Sequence, residues 1–166
     1  MPEPKLITPQ LMAFIRAEYR LHWRSYHGVS HWARVRYNGL RLAAKNGANL
    51  RVITLFAFLH DLKRRDEGRD PNHGPRAAAI VDHIRHLMPA LSDEEAELLK
   101  AACAGHTRSR THDDLTVRTC FDADRLDLGR VGIRPNPDYL CTPEARDPKL
   151  IDELWCRSVG IPRNRR

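Results

Sequence analysis

Apolar residues recur at helical spacing along nearly the whole chain. Thr8-Pro9 offers a cap and a first-turn proline, and Leu11, Phe14 and Ile15 follow on one face. A second helix, capped by Ser30, is expected to run to about Asn46 and stop at Gly47. His31, Val35, Asn38 or Gly39, and Leu42 share a face of it. A third helix starts near Asn49. In its segment LRVITLFAFL only Arg51 and Thr54 are polar, and a helix apolar on nearly every side belongs in the middle of a bundle. That run ends abruptly in His60 and Asp61, followed by Lys63, Arg64 and Arg65.

The pattern continues after a loop, KRRDEGRDPNHGP, rich in turn residues. A fourth helix is expected over about 75–88, ending before Pro89. Ser92 and Glu95 form a capping box for a fifth, about 93–104. Thr111 or Asp113 caps a sixth that runs through FDADRLDLG to Gly129. Four prolines forbid regular structure in RPNPDYLCTPEARDP, which reads as a surface loop or a partner contact. A short last helix covers about 149–159. No run reads as a strand. The expectation is an all-α bundle of six to seven helices, with 1–166 forming one domain. Its motif-bearing core spans about 27–130, and a Pro-rich loop and short helix fill 131–166.

Composition narrows the class of protein. Hydrophobic residues at 42% and charged residues at 30% are the balance of an ordinary soluble globular protein. No stretch approaches the roughly 18 apolar residues a membrane span needs. The N-terminus lacks the basic-then-apolar pattern of a signal peptide, so the expected location is cytoplasmic, with no membrane partner. Cys103, Cys120, Cys141 and Cys156 include no C-x-x-C pair, which argues for reduced thiols over a zinc ribbon. A net charge of +7 favours anionic partners without choosing among nucleic acid, nucleotide and phosphate ester. Arg163, Arg165 and Arg166 close the chain as a solvated basic tail.

The candidate chemistry lies among the nine histidines. His22, His83, His86 and His112 sit among polar neighbours and read as surface or structural groups, and His27 is separated from His31 by a loop glycine. His31 and His60 each head or end an apolar face, where a lone histidine is usually a satisfied core residue. Asp61 changes that reading. A carboxylate at the end of a buried helix must find a cation or give up its charge. The cation is either a neighbouring side chain or a metal ion shared with His60. Further ligands must then come from other helices: His31 upstream, and Asp122 downstream on the face of Leu115, Thr119 and Leu126. Asp124 and Asp127 compete with Asp122, and spacing does not choose among the three.

These residues carry a resemblance. His31 in SHWARV is similar to the first-histidine motif H-x-x-R-V of the HD superfamily of metal-dependent phosphohydrolases. His60-Asp61 matches its name-giving doublet, with Lys63 where many members carry a lysine. FDADRLDLG resembles the closing D-A-D-R-L-D motif, in which the first aspartate is the ligand. DPNHGPRAA, with His73, resembles the H-G-x-x-x-A motif that opens the next helix. The resemblance implies a helical bundle holding a divalent metal through His31, His60, Asp61 and Asp122. Such ligands suit Mn, Fe, Co, Ni or Zn. It also implies hydrolysis of a phosphate ester of a small molecule, a nucleotide among the candidates, with Asp61 and Lys63 in catalytic roles.

His73, His106, Lys63, Arg64 and Arg108 are the candidates for gripping phosphate, with Arg110 a further cation nearby. His73 and His106 would also join a second ion, although the chain lacks the adjacent H-H pair of some two-metal members. Arg34, Arg125 and Asp124 would support the site from behind. The contrasting reading is a non-catalytic helical module that engages nucleic acid or another anionic partner through its basic surface. The chain shows no interleaved basic and aromatic stripe, zinc finger or helix-turn-helix to recommend it.

Overall fold

The computed structural model describes residues 5–160. Among them the chain forms seven α-helices, three short 3-10 segments and no strand. The helices are α1 (Pro9–Glu18), α2 (Val29–Asn46), α3 (Leu50–Leu59), α4 (His73–Ile80), α5 (Asp93–Gly105), α6 (Leu115–Arg125) and α7 (Pro148–Val159). The basic tail of Arg163, Arg165 and Arg166 lies outside the described residues. No helix among the described residues is long and apolar enough to cross a membrane.

Local chemistry explains most of the boundaries. The Thr8 hydroxyl accepts from Leu11 N–H at the start of α1. Asn49 accepts from Arg51 and Val52 N–H at the start of α3, and α5 carries the Ser92–Glu95 capping box. Gly47 ends α2 with φ 77°, a left-handed conformation that glycine adopts without steric cost. Two expected caps are replaced. Gly28, not Ser30, precedes α2, and a side chain at 28 would run into the Trp23 carbonyl. Asp114, not Thr111 or Asp113, caps α6 by accepting from Thr116 and Val117 N–H.

Two helices are shorter than the pattern suggests. After Ile80 the Val81 N–H bonds Ala78 three residues back, and the chain tightens through turns into a 3-10 segment at Arg85–Leu87. Likewise α6 ends at Arg125 and the chain continues as a 3-10 turn over Leu128–Val131.

Helix α3 is the axis of the bundle, packed against α2, α5 and α6. Val52, Ile53, Leu55, Phe56, Ala57 and Leu59 are buried along it. The Pro-rich stretch is irregular and largely exposed, but it is tied to the bundle. Leu140, Thr142 and Ala145 are buried, and Leu140 and Ala145 join Leu42, Leu126 and three residues of α7 in a second apolar cluster. Its anchor is Asp122, fully buried, whose carboxylate accepts from Cys141 N–H (2.6 Å), Thr142 N–H (2.8 Å) and the Thr142 hydroxyl (2.7 Å). Among the described residues all four cysteines are free thiols.

Candidate metal centre

Helix ends bring the polar cluster together. His31 stands in the first turn of α2, and His60 and Asp61 follow the last residue of α3. His73 opens α4, His106 follows α5, and Asp124 lies in the last turn of α6. Close approach of α4 to α5 depends on Gly74, where a Cβ would meet the Cys103 carbonyl and the His106 ring. Phe56 stacks on the His60 ring at 4.7 Å between centroids, fixing it from the apolar side.

Each imidazole is oriented by a hydrogen-bond acceptor. His31 Nδ1 donates to Asp127 Oδ2 (2.7 Å), His60 Nδ1 to the Phe56 carbonyl (2.9 Å) and His106 Nδ1 to the Cys103 carbonyl (2.8 Å). His73 Nδ1 donates to the Asp70 carbonyl. A carbonyl or carboxylate only accepts, so in each neutral ring the proton stays on Nδ1 and Nε2 presents a lone pair. All four Nε2 atoms point inward. Those of His31 and His60 are 3.0 Å apart, and those of His73 and His106 are 2.8 Å apart.

Asp61 stands between the two pairs. Its Oδ2 lies 3.5 Å from His31 Nε2 and 3.4 Å from His60 Nε2, while its Oδ1 lies 3.1 Å from His73 Nε2 and 3.8 Å from His106 Nε2. Asp124 Oδ1 faces His31 and His60 at 3.3 and 3.8 Å, is buried, and has no hydrogen-bond partner. Three overlapping groups have ligand atoms within 4.8 Å of one another: His31, His60 and Asp61; His60, His106 and Asp124; Asp61, His73 and His106.

The electrostatics agree with the geometry. Burial would push the His31 imidazole down, as would Arg130, but Asp124, Asp127 and Asp61 override them and raise it to about 9. Burial would raise Asp61, yet His60, His106 and His31 hold its carboxyl well below the usual range. Asp124 is likewise held low, against burial, by His31 and Arg130. The carboxylates therefore make this a place that favours positive charge. Converging lone pairs, a buried oxygen without a donor and a negative field together fit divalent cations.

The structure brings some of the expected site residues together and leaves others apart. Asp122, expected as the fourth ligand, does not reach the cluster because its carboxylate is bound to the 141–142 backbone and the Thr142 hydroxyl. Asp124 takes the place beside His31 and His60. Lys63 is also displaced, since its ammonium donates to Glu18 on α1 at 2.6 Å. Arg108 is exposed and donates to Asn72, and Arg110 lies over the Tyr139 ring. His27 pairs with Glu67 at 2.7 Å.

Arg64 does reach the site. It is anchored on the Gly68 carbonyl and stands 3.4 Å from His73 and 3.7 Å from Asp61. Arg34 supports the site by donating to Asp127 (2.6 Å), and Arg125 binds the carbonyls of Ser109, Arg110 and Tyr139. A cleft of about 250 Å³ opens over the cluster, with Arg64, Thr107, Arg125 and Arg130 in its walls. Arg130 and Thr107 were not legible in the sequence: both lie just beyond a helix, where apolar periodicity gives no direction.

No protein-family profile matches the chain, and no curated protein matches it in sequence. A solved structure does. It is a predicted HD superfamily hydrolase from an uncultured Thermotogales bacterium, determined at 1.45 Å. It is 24% identical and superposes over 91% of this chain and 86% of that one, with a TM-score of 0.68. The architecture of α1 to α7 is thus that of the HD domain, the fold that SHWARV, His60-Asp61 and FDADRLD resemble in sequence.

Proposed function

We propose that the chain is a metal-dependent hydrolase that cleaves a phosphate ester of a small molecule. The observation that carries this reading is the inward convergence of four Nε2 atoms around a carboxylate whose two oxygens face different histidine pairs. His31, His60, Asp61 and Asp124 would hold one divalent ion, and Asp61, His73 and His106 a second. The donor set suits Mn, Fe, Co, Ni or Zn without naming one. Such ions supply Lewis acidity and hydroxide near neutral pH.

The remaining work falls to the protein's own side chains. Asp127 and the carbonyls of Phe56, Asp70 and Cys103 keep the imidazoles in one tautomer and orientation. Burial of the cluster limits bulk water to the cleft. Arg64 and Arg130 place cations on its walls, matched to a phosphate dianion. Net hydrolysis joins a water oxygen to phosphorus and releases the alcohol with a proton. Nucleotides are among the candidate substrates.

A second reading has one observation in its favour. A groove of about 640 Å³ along α2 is bordered by Arg36, Arg41, Lys45 and Arg157, a surface suited to an anionic partner. It leaves the buried cluster unexplained. The hydrolase reading is tested by stripping the protein with chelator, reloading it with each of the five metals and assaying a panel of phosphomonoesters and diesters. Hydrolysis that disappears with chelator and returns with metal is expected. Metal-loaded protein inert toward the whole panel contradicts the reading.

A further inference from the structure

The cleft over the cluster, about 250 Å³, is smaller than the usual site for a whole organic molecule. A larger cavity, about 680 Å³, shares one lining residue with it. Arg130 lines both. The larger cavity is otherwise bounded by Leu21, Arg24, Tyr26, Ser30 and Arg34, and its volume is that of a site for a whole organic molecule.

Its rim is built in advance. Residues 20–28 contain no helix, yet Ser25 N–H bonds the His22 carbonyl, Gly28 N–H the Ser25 carbonyl and Val29 N–H the Trp23 carbonyl. Trp23 packs edge-on against Trp32 at 5.3 Å, and the Tyr19 and Ser25 hydroxyls are hydrogen-bonded at 3.1 Å. Gly28 permits the tight return, since any Cβ there would strike the Trp23 carbonyl.

Against this fixed rim stand groups with nothing to bind. Tyr26 is 63% exposed, and neither its ring nor the Arg24 guanidinium has a partner among the described residues. Arg130 is nine-tenths buried, yet its Nε has no acceptor. Its Nη1 is held by the Asp127 carbonyl, and its Nη2 stands 3.7 Å from Asp124. Arg130 thus forms the wall shared by the two cavities.

We propose that the larger cavity holds the alcohol part of the substrate, and that the substrate is a phosphomonoester of a bulky alcohol bearing a flat ring. The ring lies against Tyr26, and Arg130 stands between the ring and the phosphate. Short-chain phosphates would fill the cleft and leave the larger cavity empty. This rests on the hydrolase reading for the phosphate end, but the ring pocket is tested by binding alone.

The probes are two non-hydrolysable phosphonates, 1-naphthylphosphonate and methylphosphonate, titrated into the metal-loaded protein by calorimetry. The parent should prefer the naphthyl compound by about tenfold or more, the scale of one aromatic stacking contact together with the apolar area it covers. Tyr26→Ala should collapse that ratio, and Tyr26→Phe should restore it, with metal content the same in all three. No preference in the parent, or a preference that survives Tyr26→Ala, overturns the pocket. Naphthyl preference in a protein that hydrolyses nothing would remove the hydrolase reading and leave the pocket. Hydrolysis of short-chain phosphates with no naphthyl preference would do the reverse.

Discussion

Asp122 and Asp124 stand two residues apart on α6, both withdrawn from solvent, yet they do opposite things. Asp122 accepts three hydrogen bonds from residues 141 and 142 and pins the C-terminal segment to the bundle. Asp124 has a buried oxygen outside any hydrogen bond and faces the Nε2 atoms of His31 and His60. Burial pushes Asp122 up against the bonds from Cys141 and Thr142, whereas Asp124 is pulled down by His31 and Arg130 despite burial. A buried carboxylate surrounded by donors is architecture. One that faces converging imidazoles, with an oxygen outside any hydrogen bond, is placed to ligate a cation.

The sharpest way to break this comparison is to neutralise each carboxylate in turn. Asp124→Asn removes a ligand, so kcat/KM should fall by at least about 10²-fold, beyond the usual effect of losing a residue that merely orients a ligand. Metal content per folded molecule should fall with it. Asp122→Asn should show the opposite pattern. An amide cannot accept all three bonds, and the loss should approach about 2 kcal/mol in denaturant unfolding, with metal content per folded molecule retained. Equal behaviour of the two variants would end the distinction.

The smallest expected effect lies far from the cluster and serves as a baseline. Burial would raise the Glu95 carboxyl, but Ser92 N–H, the Asn49 amide and Arg51 hold it below its ordinary value. A depressed carboxylate contributes stability that is present above its unfolded pKa of about 4.3 and lost as pH falls through the folded value. Glu95→Gln should therefore cost about 0.5–1 kcal/mol at pH 7, the worth of a helix cap, and the cost should vanish on acidification. Thermal unfolding of parent and variant between pH 7 and pH 3 measures it.

The elements were legible where a local signal decides them. The all-apolar run of α3, the capping box of α5 and Gly47 need only nearby residues, and His31, His60 and Asp61 follow from where those helices end. His73 and His106 likewise sit beside helix termini that the turn residues mark. The choice between Asp122 and Asp124 was not legible. Phe121, Asp122 and Ala123 are all fully buried, so the end of α6 is enclosed on several sides and apolar spacing cannot say which interior each carboxylate faces. Lys63 was misplaced because its partner, Glu18, lies on a distant helix. The prolines of the Pro-rich segment report the lack of helix, but not that Leu140, Thr142 and Ala145 are buried where Asp122 reaches them from α6.

The central claim is that Asp61 and the four inward-facing histidines form a site for divalent cations. Elemental analysis of tag-free protein purified without chelator, beside the Asp61→Ala variant, tests it directly. Asp61 belongs to two of the ligand groups, each of which would hold an ion, so about two transition-metal ions per chain are expected in the parent. The variant should lose nearly all of them while remaining helical by circular dichroism. A parent that holds no metal after reloading with Mn, Fe, Co, Ni or Zn, or a variant that keeps the full complement, would contradict it.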